Sequence, residues 1–286
     1  MPSDDLIIAL GDSQCTVSPT IGGSLKSWHV AGQAMLRNAL ASRDPLDMAS
    51  FPLVPYSNRI GAASFEWAGQ KITLSKNFPP EPHALHGIGW QRPWLVESHQ
   101  GDCIGLSLAH DGDDYWPWPF DAQQVIRVGA THLQLDLSVK NLAPHPVPLA
   151  FGHHPYFEQK GASLQFAASN VWISGEDALP TAAQSVIGQF DFTTLSRVEG
   201  RAVDNCYSGI SGKVHIEWAD CALALNIVSA LPAAVVYVPK GGGAFCFEPV
   251  PHINNALNML GQTPAMPIVE AGARFETSIF FQAIPK

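Results

Sequence analysis

The chain has 286 residues, 46% of them hydrophobic and 14% charged, which excludes a disordered or fibrous protein and supplies a sizeable core. Twenty-five acidic residues against 16 basic ones give a formal charge of −9 with no long Lys/Arg cluster, so the basic patch that nucleic-acid backbone binding draws on is missing. No apolar run approaches the roughly 20 residues needed to span a bilayer, and Asp4 and Asp5 stand where a signal peptide carries positive charge, so a cytoplasmic protein without membrane or nucleic-acid partners is expected.

Five widely spaced cysteines, Cys15, Cys103, Cys206, Cys221 and Cys246, form no C-x-x-C pair, which fits free thiols rather than a disulfide framework or a thiolate zinc site. The 24 glycines and 23 prolines are scattered, which predicts many turns between short strands.

In chain order, alternating apolar and polar residues predict strands at 6–10, 64–69, 103–110, 123–128, 132–139, 163–169, 213–219, 222–229 and 234–239. In 132–139, Leu133, Leu135, Leu137 and Val139 share one face and Gln134, Asp136 and Ser138 the other, the pattern of an antiparallel sheet with one wet face. Segment 38–50 could hold a helical turn, but Pro45 is expected to interrupt it. Glycines 241–243 precede no helix start, so they make no phosphate cradle. Without helices between the strands, and without a linker or repeat, the expectation is an all-β protein with one domain over 1–286, a large antiparallel β-sandwich.

Five polar features stand in aromatic, Gly- and Pro-rich surroundings. Arg59 ends the apolar run FPLVPYSNRIG after Asn58, where a guanidinium either pins the loop through a salt bridge or faces a ligand. His83 and His86 lie in HALHGIGW. His153 and His154 are adjacent in FGHHPYF, so in an extended segment only one faces a given pocket. Glu248 is the sole carboxylate in FCFEPVP, where either desolvation suits it to proton transfer or an ion pair such as one with Arg59 holds it. Asp204 in AVDNCY reads on its own as a turn residue. Such a set fits an acid/base site for a polar organic substrate, or a metal site built on His83, His86, His154 and Glu248, although an extended HALH would put its two histidines on opposite faces. The aromatic residues, which stack on the C–H faces of sugars, make carbohydrate a reasonable substrate class. His29, His99, His110, His132, His145, His215 and His252 read as surface or strand residues.

Seven segments in order, VSPTIGGSLKSW (17–28), PYSNRIG (55–61), LHGIGW (85–90), WPWPF (116–120), HPYF (154–157), VDNCY (203–207) and FEPVP (247–251), resemble the aldose 1-epimerase (galactose mutarotase) family along nearly the whole chain. The resemblance implies that family's many-stranded antiparallel sandwich and the exchange of α and β anomers of a free aldose. It implies Glu248 as base, His154 as acid, His86 as a further catalytic group, and Arg59, Asp204, Asn58 and Trp118 as substrate-binding residues, with Tyr207 completing the D-x-x-F/Y motif. No cofactor or metal is implied; the partner is a small-molecule sugar, and the protein a monomer or homodimer. His153 falls where many members have asparagine, and Glu248-Pro249-Val250 departs from the E-x-Q of the longer galactose mutarotases, which points to a broader bacterial branch. A hexose-6-phosphate mutarotase, disfavoured by the acidic composition, and a non-catalytic sugar-binding protein of the same fold are the competing readings.

Overall fold

The computed structural model describes residues 5–226 and 230–285. Among these there is no α-helix, only 3-10 turns of three residues between strands. One sheet has 11 strands and a second has nine, with every strand pair antiparallel. The nine-stranded sheet runs in the order Leu95–Gln100, Cys103–His110, Phe120–Val128, His132–Asn141, Arg274–Pro285, Cys221–Asn226, Ser211–Glu217, Ser163–Ala167 and Ser196–Arg197. At the centre of the 11-stranded sheet lie Ser24–Val30, Ser50–Leu53, Gly152–Glu158, Ala244–Val250, Ala233–Val238 and Val203–Ser208.

The sheets face one another across a continuous apolar core. Trp28 of one sheet meets Phe281 of the other at 6.3 Å between ring centroids, and the Gln124 side chain from the nine-stranded sheet lies 3.4 Å from His153 of its neighbour. Leu133, Leu135, Leu137 and Val139 are buried while Gln134, Asp136 and Ser138 are partly exposed, as the alternation predicts.

Strands stand at all nine expected places, although the one expected at 222–229 is described to 226 and its residues 227–229 lie outside the described residues. Pro45 does not interrupt a turn. It opens one, at Pro45–Asp47, where the missing N–H costs nothing and Asp44 accepts the Leu46 N–H at 2.9 Å. The sequence patterns leave several strands of the 11-stranded sheet unmarked, among them Ser24–Val30, Gly152–Glu158, Val203–Ser208 and Ala244–Val250. These are buried on nearly every residue, so polarity does not alternate along them.

Candidate active site

Three strands of the 11-stranded sheet carry the reactive groups. Strand Gly152–Glu158 pairs with Ala244–Val250 through Tyr156 opposite Cys246, and two residues further along the same register His154 comes opposite Glu248. Side chains directly opposed on antiparallel strands share a face. His154 Nε2 accordingly lies 3.1 Å from Glu248 Oε1, with the residues 6% and 2% exposed. The other carboxylate oxygen, Oε2, and His154 Nδ1 are buried without hydrogen-bond partners.

Burial drives both groups toward neutrality. The Glu248 carboxyl is raised well above the carboxylate range, first by loss of water and then by the nearby charge of Asp204, with Arg59 pulling it down. His154 is lowered well below the ordinary imidazole range by burial, and further by His86 and Arg37. Each group is thus disfavoured in its charged form.

Its walls are aromatic. Phe51, opposite His154 on strand Ser50–Leu53, places its ring 4.5 Å from the imidazole. Tyr156 stacks on the imidazole at 4.6 Å and is itself covered by the Arg37 guanidinium 3.7 Å from its centroid. Arg37 is fixed by the carbonyls of Leu46 and Met48.

His86 reaches the pair from a loop. Asn58, in the left-handed region at φ 54°, donates its N–H to His86 Nδ1 at 3.1 Å, and the His86 N–H returns to the Asn58 carbonyl at 2.9 Å. Because Nδ1 accepts, the neutral ring carries its proton on Nε2 and can donate from there. Burial, with Arg59 nearby, pushes the His86 pKa down to about 3. The ring lies 5.2 Å from that of His154, edge to face. The next residue must be glycine: a Cβ on Gly87 would lie 2.2 Å from the Val54 carbonyl oxygen, which accepts the N–H groups of Ile88 and Gly89.

Arg59 pairs with Glu81 through Nη2 and Nε, both at 3.3 Å from Oε2, so its loop-pinning bond is present. Its charge also bears on His86, Asp204 and Glu248. Asp204 is a strand residue rather than a turn residue, and exposed. Neighbouring protein displaces part of its water and raises its pKa, while Arg59 opposes the rise. It thus lies within electrostatic reach of Glu248, at the open side of the site.

The adjacent histidines separate as alternation requires. His153 points into the core, with Nδ1 2.5 Å from Ser50 Oγ and Nε2 toward Gln124, and burial pushes its pKa down to about 3. Tyr207, three residues from Asp204, also lies in the core, its ring edge-on to Phe166 at 5.0 Å.

Trp118, Asn58 and His83 have structural partners of their own. Trp118 packs on Trp116, Phe65 and Trp67 and lines a groove with His145, and no described contact joins it to His154 or Glu248. The Asn58 side chain accepts the Arg59 N–H at 2.9 Å, so Asn58 shapes the loop. His83 is spent structurally, Nδ1 accepting from the Ala62 N–H at 2.9 Å and Nε2 donating to the Asp177 carbonyl at 3.1 Å, which removes it from the four-residue metal set.

Sequence reading missed His252, which is buried rather than a surface or strand residue. It accepts the Ser57 N–H at 3.3 Å and donates to the Ile253 carbonyl at 2.8 Å. It also missed Glu81 and Arg37, which hold site residues from outside the motifs. For His252 the signal was its place three residues after Pro249 in FEPVPH; for the other two there was none.

Comparison with known proteins gives the family and the fold. The sequence profile of the family "Aldose 1-epimerase" matches residues 7–281, and the chain belongs to that family. The uncharacterized Escherichia coli (strain K12) protein YphB is 28% identical over 242 residues, covering 81% of this chain and 82% of YphB. In fold, a crystal structure from Escherichia coli K12 superposes with a TM-score of 0.91 at 24% identity, covering 99% of both chains. A galactose mutarotase-like protein from Clostridium acetobutylicum does so at 0.85 and 16% identity, covering 99% of this chain and 95% of its own. The all-β galactose mutarotase-like sandwich is thus the fold of this protein. No helix among the described residues is long and apolar enough to cross a membrane.

Proposed function

We propose that the protein, taken as one unit over 1–286, is an aldose 1-epimerase that interconverts the α and β anomers of a free aldose at His154 and Glu248. The observation that carries this is the 3.1 Å contact between a buried imidazole and a buried carboxyl on opposed strands. Opening a hemiacetal ring takes a proton from the anomeric hydroxyl and gives one to the ring oxygen. Those two oxygens sit on the same carbon, so the groups that serve them must be neighbours.

Glu248 accepts the hydroxyl proton and His154 protonates the ring oxygen. The working form, carboxylate beside imidazolium, differs from the neutral pair only in which partner holds the shared proton, and Arg59 favours the carboxylate. The aldehyde turns about its bond to the rest of the chain, and closure with the two proton transfers reversed returns both groups to their starting state. His86 donates from Nε2 to the sugar as its negative charge develops, and Arg59 and Asp204 hold hydroxyls. Glu81, Asp204 and Glu248 around Arg59 disfavour a phosphosugar.

Polarimetry of freshly dissolved α-anomers of several aldoses tests the reading. The protein should speed the approach to equilibrium, and Glu248→Gln, which keeps the shape and loses the base, should cost at least about 100-fold in turnover with binding largely retained. A variant keeping more than about a tenth of the activity would reject the assignment.

A further inference from the structure

Cys246 takes no part in the proton transfers, yet it lies two residues before Glu248 on strand Ala244–Val250, so both side chains leave the same face. Its Sγ, a ring nitrogen of His154 and a carboxylate oxygen of Glu248 all lie within 4.8 Å of one another, and all three residues are buried. We propose that His154, Cys246 and Glu248 form an inhibitory site for a thiophilic divalent cation such as Zn²⁺, which captures the acid/base pair and stops turnover. The inhibitory consequence rests on the epimerase reading; the binding does not.

The donor set is one that zinc uses, a thiolate, an imidazole and a carboxylate. Bonds of about 2.0–2.3 Å would set ligand atoms roughly 3.3–3.8 Å apart. The His154–Glu248 contact is already near that spacing, so a shift of about 1 Å by the thiol completes the set. Glu248 Oε2 is buried and unpartnered, a cost that a cation removes. Charge also balances, since one thiolate and one carboxylate neutralise the ion while the imidazole stays neutral. On binding, the thiol proton and the proton shared by the pair pass to solvent. Three protein ligands leave a fourth position for water.

The test uses the full chain, stripped of metal, with Zn²⁺ titrated against a chromophoric chelator and Co²⁺ followed by its thiolate charge-transfer absorption. One Zn²⁺ per chain, a cobalt–thiolate band, and loss of epimerase turnover in step with occupancy are expected. Cys246→Ala should weaken binding by about 100-fold or more, abolish the band and leave metal-free turnover in place. Absence of stoichiometric binding, absence of the band in the wild-type protein, or Zn²⁺ affinity unchanged by Cys246→Ala each overturn the proposal. The wild-type cobalt spectrum decides it even if the variant does not fold. A protein that binds the ion but epimerises no aldose would keep the site and overturn the epimerase reading alone.

Discussion

The two sheets divide the labour of the molecule. In the nine-stranded sheet, strand His132–Asn141 buries every second residue along its length, whereas in the 11-stranded sheet Ala244–Val250 is buried at every residue but its first. The first sheet meets the core on one side and water on the other. The second meets the core on one side and, on the other, the loops that carry Arg59 and His86, so its outer face can hold titratable groups out of water. A reactive pair needs that second kind of surface.

The largest effect that separates the faces is a core deletion. Leu135→Ala on the inner face of the nine-stranded sheet should cost about 2–5 kcal/mol in chemical denaturation while the folded fraction keeps its turnover. A stability loss below about 1 kcal/mol would mean that this face is not the packed core.

Next comes the pair of adjacent histidines, which point to opposite sides of one strand. His154→Asn should lower turnover by about 100-fold or more with little change in melting, because it removes the acid. His153→Asn should do the reverse, costing about 1–3 kcal/mol of stability through its bonds to Ser50 and Gln124 with turnover largely kept. If His153→Asn were the more damaging to turnover while both variants stayed folded, the assignment of the acid would be wrong.

Acid should act on the same side of the molecule. Burial pushes His86 and His153 down to about 3 and His252 to about 4, whereas an unfolded chain takes up these protons near pH 6.5. Stability should therefore be level with respect to these groups above about pH 6.5 and fall between there and about pH 4, by up to about 1.4 kcal/mol per pH unit for each histidine. Denaturant midpoints that are equal at pH 7 and pH 5 would contradict their burial as neutral rings. The smallest effect belongs to the wet face: Arg127→Ala breaks an exposed pair with Asp136 and should change stability by less than about 1 kcal/mol.

This contrast also sets what the sequence could disclose. Strands with one wet face, such as 103–110 and 132–139, announce themselves by alternation, but Gly152–Glu158 and Ala244–Val250 read as mixed apolar runs because neither face is wet. Glu248 and His154 were still legible, one as a carboxylate among Phe and Pro and the other from its motif and the two-residue period. Their mutual contact was not, since it depends on a register between strands some 90 residues apart. Trp118, a tryptophan between prolines, fits a sugar platform and a core aromatic equally well in sequence, and in the structure it packs against Trp116 and Phe65.

The opposition of His154 and Glu248 has a consequence for how such a protein changes over evolutionary time. His154 and Glu248 face each other across two central strands, while the Arg59 and His86 loops are tied to one another through Asn58 and held by Val54, at the end of strand Ser50–Leu53, and by His252, just past Ala244–Val250. On the proposed function, the loops can be rebuilt for a different sugar without disturbing the His154–Glu248 distance, so divergence in diet need not entail reinvention of the chemistry.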